Sequence, residues 1–285
     1  MEKRILELSN GFKLPMIGFG TYKSTEKFGE KVILDAISCG YSYFDTASFY
    51  KNETLVGAAV KNSGVKREDM IIASKIWPAD YGYEQTFKAF DTTLDKLGMD
   101  YLDVYLMHWP KLSPDDANWK EKMQSTWRAI EEIYSNGKIR AIGVSNFLPH
   151  HMEALKESAT IMPMINQLEL HVGYMQNVTV EYCRKEKIAV QAWSPLGRRR
   201  VLEDESVLKM AAKYKKTPAQ LLLGFLIQNE IAVIPKASVP ERMKENLDIY
   251  DFKLSKEDMY FLLCLNEIGW SGEHPDFNKL LSVEN

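Results

Sequence analysis

The chain has 285 residues, and its 36 basic and 39 acidic side chains give a net charge of −3. That slight acidity argues against nucleic acid or an anionic membrane as the main partner. A composition 45% apolar and 26% charged is that of a folded domain and excludes disorder. At this length one domain spanning residues 1–285 buries roughly 75% of its unfolded surface, so no disulfide or metal is needed to hold a core. No run approaches the ~20 apolar residues of a membrane span, and Met1-Glu2-Lys3-Arg4 leads straight into a strand-like segment. The expectation is a cytoplasmic protein whose three cysteines, Cys39, Cys183 and Cys264, are reduced and buried.

The first predicted element is a hairpin over residues 6–14, with Asn10-Gly11 as a two-residue turn, closing the bottom of whatever follows. Short, continuously apolar runs then fall at residues 16–19, 41–44, 70–74, 102–107, 141–144, 164–166, 188–192 and 232–234. Segments of helical period separate them. Tyr83, Phe87, Phe90, Leu94 and Leu97 share one helix face before the stop signal Gly98. Met123, Trp127, Ile130 and Tyr134 do the same ahead of Asn136-Gly137. Thr217-Pro218-Ala219-Gln220 reads as a capped helix start with proline in the first turn. Runs this apolar need cover on both faces. Eight strand-then-helix repeats predict an α/β fold, a (β/α)₈ TIM barrel.

A barrel carries its chemistry at the C-terminal ends of its strands. The first polar or glycine position after each run is Gly20, Asp45, Lys75, His108, Ser145-Asn146, Gln167, Ser194 and Lys236. A charge directly after an apolar strand is costly unless paired. Any one of these residues alone could be a rim ion pair or a satisfied core polar group. Asp45, Lys75 and His108 on consecutive strands, with Tyr50 on the loop after Asp45, point instead to one shared cavity. There Lys75, kept charged by Asp45, is expected to lower the phenol pKa of Tyr50 from about 10 by one to three units. Neutral His108 would polarise a carbonyl oxygen. The set is an acid catalyst aimed at a carbonyl.

No G-x-G-x-x-G follows a strand, so a Rossmann site has no support. Ser238-Val239-Pro240-Glu241 instead reads as a capping-box helix start. With Lys236 before it and Arg242 in its first turn, it suits a phosphate monoester.

Five motifs carry a resemblance: residues 40–53 (Gly-Tyr-Ser-Tyr-Phe-Asp-Thr-Ala-Ser-Phe-Tyr-Lys-Asn-Glu), Leu106-Met107-His108-Trp109-Pro110, Ile142-Gly143-Val144-Ser145-Asn146-Phe147, Ser194-Pro195-Leu196-Gly197 and Ile234-Pro235-Lys236. From Gly18 to about Asp276 the chain resembles the aldo-keto reductase superfamily, in its bacterial NADPH-dependent form. The resemblance implies a catalytic tetrad of Asp45, Tyr50, Lys75 and His108, with Tyr50 as general acid. It implies NADPH/NADP+ as cofactor, its 2′-phosphate held by Lys236 and Arg242 and its adenine lying near Glu245 and Asn246. Ser145, Asn146 and Gln167 would hold the carboxamide. Trp193 stands where many members stack a tyrosine on the nicotinamide ring. Gly20, Thr21, Ser194, Leu196 and Ser238 complete the cofactor set, although Ala237-Ser238 departs from the commoner Lys-Ser-Val order.

Tyr22, Phe49, Trp77 and Trp109 follow strand ends and form an aromatic substrate wall. The loop over residues 111–119 and the tail from Glu267, with Trp270 and His274, are expected to edge the pocket. The expected substrates are small aldehydes, α-dicarbonyls or keto sugars. Arg198-Arg199-Arg200 is read as a solvated loop, with contact to a pyrophosphate as the alternative. Neither His150-His151 nor Glu169-Leu170-His171 offers a metal-ligand set, so no metal is assigned. Two other readings stay open: a barrel aldolase forming a Schiff base on Lys75, and a non-catalytic NADP(H)-binding sensor. With no long exposed apolar surface in view, the chain is expected to be monomeric.

Overall fold

The computed structural model describes residues 5–277. Ten strands occur among them: β1 (Ile5–Glu7), β2 (Lys13–Pro15), β3 (Phe19–Gly20), β4 (Tyr43–Asp45), β5 (Ile71–Ile76), β6 (Leu102–Met107), β7 (Ile139–Ser145), β8 (Ile165–Glu169), β9 (Ala189–Trp193) and β10 (Ala232–Val233). β3 to β10 pair in parallel and in chain order. A bridge between Ile17 and Val233 joins the last strand to the chain just before β3 and closes the cylinder. At that seam Gly20 donates its N–H to the Pro235 carbonyl at 3.1 Å. A Cβ on Gly20 would sit 2.7 Å from the Ile234 carbonyl oxygen, too close to tolerate, so the seam needs glycine there. This is the expected (β/α)₈ barrel.

The hairpin of β1 and β2 is present, with Leu6 opposite Leu14, but its turn has three residues rather than two. Leu8 and Phe12 still pair, and Gly11, at φ +82°, closes the loop by donating to the Leu8 carbonyl. Asn10 is the reason. Its side chain accepts from the Phe12 N–H and donates to the Arg140 carbonyl at 2.9 Å, so it anchors the turn beneath the start of β7. Leu8 and Leu14 are buried, and the hairpin sits at the bottom of the barrel as expected.

The helices over Tyr83–Leu97 and Trp119–Ser135 match their periodicity, and Gly98 ends the first at φ +64°. Thr217 and Gln220 form the expected reciprocal cap. Ser238 does not cap the helix over Pro240–Leu247: Val239 occupies that position and Pro240 begins the helix. Cys183 is buried and Cys39 half-buried, while Cys264, where the last described helix ends, is exposed, so the expectation of burial fails there. No helix among the described residues is long and apolar enough to cross a membrane. The Met1–Arg4 start and the tail beyond Phe277 lie outside the described residues.

Six of the eight barrel strands end later than their apolar stretches suggested, while β6 ends where expected and β10 one residue sooner. Asp45, Ser145 and Gln167 are buried and lie within strands, and Lys75 is the penultimate residue of β5. Pairing of the backbone continues because these polar side chains find partners inside the barrel mouth.

Candidate active site

A cavity of about 750 Å³ opens at the C-terminal ends of the strands. Nearly all of the sequence-predicted site residues line it. The exceptions are Thr21, Lys75, Glu245 and Asn246.

Lys75 lies just behind the wall. Its ammonium is fully buried and donates to Asp45 Oδ1 at 2.5 Å, the Thr46 carbonyl at 3.0 Å and the Tyr50 hydroxyl at 3.2 Å. These three bonds use all the hydrogens an ammonium has. The arrangement disfavours the Schiff-base reading, since the amine is saturated and does not face the cavity. The second oxygen of Asp45 accepts from Gln167 Nε2 at 2.8 Å. Gln167 also donates to Gln191, which accepts from the Tyr43 hydroxyl. A polar chain thus crosses the barrel mouth and fixes Asp45 from the opposite side.

Burial governs the protonation of this group. It pulls the Lys75 ammonium below its ordinary value, and the Asp45 carboxylate counters the fall. Burial, reinforced by the Lys75 charge, holds His108 well below the imidazole range and therefore neutral. The Tyr50 phenol is pushed well above its ordinary value by burial first, then by Asp45 and by Tyr22 and Glu273. The expected lowering by Lys75 does not occur. Desolvation of the phenolate and the carboxylate of Asp45 outweigh the neighbouring ammonium, which Asp45 already neutralises. The phenol accordingly keeps its proton at neutral pH, the form a proton donor requires.

The loop between β4 and the next helix is held by Thr46 and Asn52, which the sequence left without a role, and by Thr21, expected instead to bind cofactor. Thr46 donates to Asn52 Oδ1 at 2.7 Å, and buried Asn52 donates to the Thr21 carbonyl at 3.0 Å. Thr21 donates both N–H and hydroxyl to the Asp45 carbonyl. Thr21 therefore supports the site from behind. Asn52 stood inside a quoted motif, and Gln191 broke an otherwise apolar run; both were available signals.

On the far side, Asn146 and Ser194 follow β7 and β9 directly, at φ +63° and +48°. Asn146 donates to the His108 carbonyl and to Ser145 Oγ, and its oxygen accepts from Trp193 Nε1 at 2.8 Å. Aromatic rings gather at the entrance. Phe49 stacks on Trp77 with centroids 4.0 Å apart, Trp77 meets His108 edge-on, and Tyr22 leans on Tyr50. His108 Nδ1 is buried without a hydrogen-bond partner.

Cations occupy the other end. Lys236, Arg242 and Arg199 line the cavity, and none makes an ion pair among the described residues. Lys236 donates only to the Lys23 carbonyl; burial first holds its pKa down, the Glu26 charge opposes the fall and Lys23 adds to it. Cations facing a cavity without carboxylate partners fit a phosphate-bearing ligand. Glu245 is turned away, accepting from the Thr217 hydroxyl, and Asn246 is buried. Arg198, Arg199 and Arg200 are exposed, as a solvated loop requires, but Arg198 and Arg199 also line the rim of the cavity, where Arg198 pairs with Glu273 at 2.9 Å above the Trp193 ring.

Of the tail, Glu273 lines the cavity; Trp270 stacks on Tyr174 and His274 on Phe277. The loop over residues 111–119 does not line it. Lys111 instead pairs with Asp276, and Trp119 packs on His151. Asp276 also meets His150 and His151, a trio whose ligand atoms lie within 4.8 Å of one another. His151 Nδ1 accepts from the Leu148 N–H, so its hydrogen sits on Nε2 and points at Asp276. With that nitrogen protonated and Lys111 on the same carboxylate, the cluster is a tail anchor built from hydrogen bonds and ion pairs.

Comparison with known proteins agrees with this geometry. The model of the Aldo/keto reductase family matches residues 16–262. The chain is 44% identical over 276 residues to a glyoxal reductase of Bacillus subtilis, covering 96% of this chain and 97% of that one. It is 37% identical to a morphine 6-dehydrogenase of Pseudomonas putida, covering 90% and 88%. Among solved structures it superposes with a TM-score of 0.87 on MGS-M4, an aldo-keto reductase from a Medee basin deep-sea metagenome library. That match is 39% identical and covers 98% of this chain and all of the other. The chain is an oxidoreductase of the aldo/keto reductase family, whose members use nicotinamide cofactors.

Proposed function

We propose that this protein is a monomeric, cytoplasmic NADPH-dependent reductase of small aldehydes and ketones, with Tyr50 as the proton donor. The observation that carries the proposal is the contact between the buried Lys75 ammonium and the Tyr50 hydroxyl at the inner end of a cavity whose outer end holds unpaired cations. A bound reduced nicotinamide supplies the hydride for the carbonyl carbon. Lys236 and Arg242 would hold its phosphate end; Ser145, Asn146 and Gln167 stand beside Trp193 for the carboxamide end.

The protein's own work is proton delivery. The carbonyl oxygen is held between the Tyr50 hydroxyl and the neutral His108 ring, whose N–H donates to it as negative charge develops. Tyr50 then gives its proton to that oxygen. An alkoxide is a far stronger base than a phenolate, so the transfer runs downhill even from a phenol of raised pKa. The phenolate left behind is stabilised by Lys75, and Asp45 keeps Lys75 oriented. The aromatic wall of Tyr22, Phe49, Trp77 and Trp109 excludes water around the reacting carbon.

The glyoxal reductase among the relatives favours short dicarbonyls as the first substrates to try. Fluorescence titration with NADPH and NADH, followed by a steady-state panel of aldehydes and ketones, tests the reading. Tight NADPH binding with turnover of small carbonyls is the expected result. Cofactor binding without turnover of any carbonyl would leave the sensor reading in its place.

A further inference from the structure

A second cavity, of about 220 Å³, adjoins the first: Tyr22, Lys23, Phe49 and Tyr50 line both. Lys51 and Glu26 add to its charged lining. This annex shares Tyr50 with the proton-delivery group and none of Lys236, Arg242 and Arg199, so it begins where the substrate carbonyl would sit and runs away from the cation cluster.

Its charge is unbalanced. Neither Lys23 nor Lys51 has an ion-pair partner among the described residues, and Lys23 has only the Tyr22 ring, 5.4 Å from its ammonium. Glu26 offsets one of the two charges and leaves a net positive wall. Both lysines stand in the left-handed backbone region, at φ +54°. That conformation is unfavourable for a side-chain-bearing residue and persists where surrounding structure enforces it. Here Lys236 grips the Lys23 carbonyl, and the Lys51 N–H bonds the Ser48 carbonyl, so both turns are fixed toward the annex.

We propose that the annex is a subsite for the anionic far end of a carbonyl substrate, a carboxylate or phosphate ester carried a few atoms from the aldehyde or ketone. The proposal rests on the reductase reading above and extends it to a substrate class. The aromatic faces of Tyr22 and Phe49 take the apolar spacer, while Lys23 and Lys51 attract the terminal charge. The attraction acts at a wet surface, where two unit charges about 4 Å apart gain a factor of roughly five in affinity. It should weaken as salt is added.

The test uses NADPH and matched substrates: 4-carboxybenzaldehyde against its methyl ester, and succinic semialdehyde against butanal, at low and high ionic strength. The acid of each pair should have the lower KM at low salt, with the advantage lost at high salt. Lys51→Met should raise the acid's KM about fivefold, the full value of one such charge contact, while leaving kcat and the neutral partner unchanged. Lys51→Glu should raise it further. Acid and neutral partners turned over alike, unmoved by Lys51 or by salt, would overturn the subsite alone. No turnover of either member would overturn the reductase reading itself, and this inference with it.

Discussion

The Lys75 ammonium reaches the Tyr50 hydroxyl at 3.2 Å while its shortest bond, 2.5 Å, is to Asp45. The pairing is unequal. Asp45 takes up most of the lysine's charge, and the phenol receives a positioned hydrogen-bond donor rather than a net cation. This is why the phenol stays protonated in the resting protein and why its partner matters most after the proton has left.

Tyr50→Phe removes the proton donor and little else, since the ring still packs against Tyr22 and His108. General-acid catalysis contributes roughly 10²–10⁴-fold, so NADPH-linked reduction should fall by at least about 10²-fold. Cofactor affinity, read by fluorescence titration, should hardly change. Turnover of a good carbonyl substrate at near wild-type rate would remove Tyr50 from the acid role.

Lys236 and Arg242 both line the cavity, and neither has a carboxylate within ion-pair distance among the described residues. Hydrogen bonds to charged groups are worth about 1.5–3 kcal/mol, so each substitution to alanine should weaken NADPH some ten- to a hundredfold. NADH lacks the 2′-phosphate and should lose little. The comparison of the two dissociation constants is the measurement, and equal losses would show that these residues hold no phosphate.

Much of this was legible in the chain because apolar runs and their terminating polar residues report a barrel's strand ends directly. Asp45, Lys75 and His108 were found that way. The strand limits were not, because a buried Asp, Ser or Gln reads as a loop residue until its partners across the barrel are known. Gln167 is an example: its bond to Asp45 spans 122 positions of sequence. The acidity of Tyr50 was misjudged for a related reason. A cation's presence can be inferred from spacing, but its neutralisation by Asp45 and the depth of burial cannot. Arg198 is exposed, as its charge run suggested, but its place on the rim depends on Glu273, 75 residues away.

The tail anchor gives the fold a distinct acid response. Burial first, with help from His150, lowers the His151 pKa from 6.5 to about 4. Between those values the unfolded chain binds a proton that the folded protein refuses, so stability is intact above pH 6.5 and declines as pH falls toward 4. A shift of this size corresponds to at most about 3 kcal/mol. Asp276, lowered to about 2 with Lys111 and both histidines as its counter-charges, responds later, losing its contribution only as pH falls from 3.8 through 2. Urea denaturation of wild type and His151→Gln at pH 7, 5.5 and 4.5 separates the two. The variant should be less stable at pH 7 yet lose less on acidification. Parallel pH slopes for the two proteins would show that His151 is not the responding group.

Trp193 donates its indole N–H to Asn146, a bond that a tyrosine, with its hydroxyl at the far end of the ring, has no equivalent group to make. Asn146 spends its own two hydrogens on the His108 carbonyl and Ser145 Oγ. The indole therefore locks a side chain that is tied to the catalytic strand end. Trp193→Phe keeps an aromatic face for stacking and deletes only the donor, leaving Asn146 Oδ1 one partner short. The expected cost is about 1 kcal/mol of stability. Trp193→Phe and Asn146→Ala should also be strongly non-additive when combined, because each breaks the same bond. Denaturation of the two single variants and the double variant gives the coupling directly. Additive losses would mean that the indole bond carries no weight, and that Trp193 contributes through its ring alone.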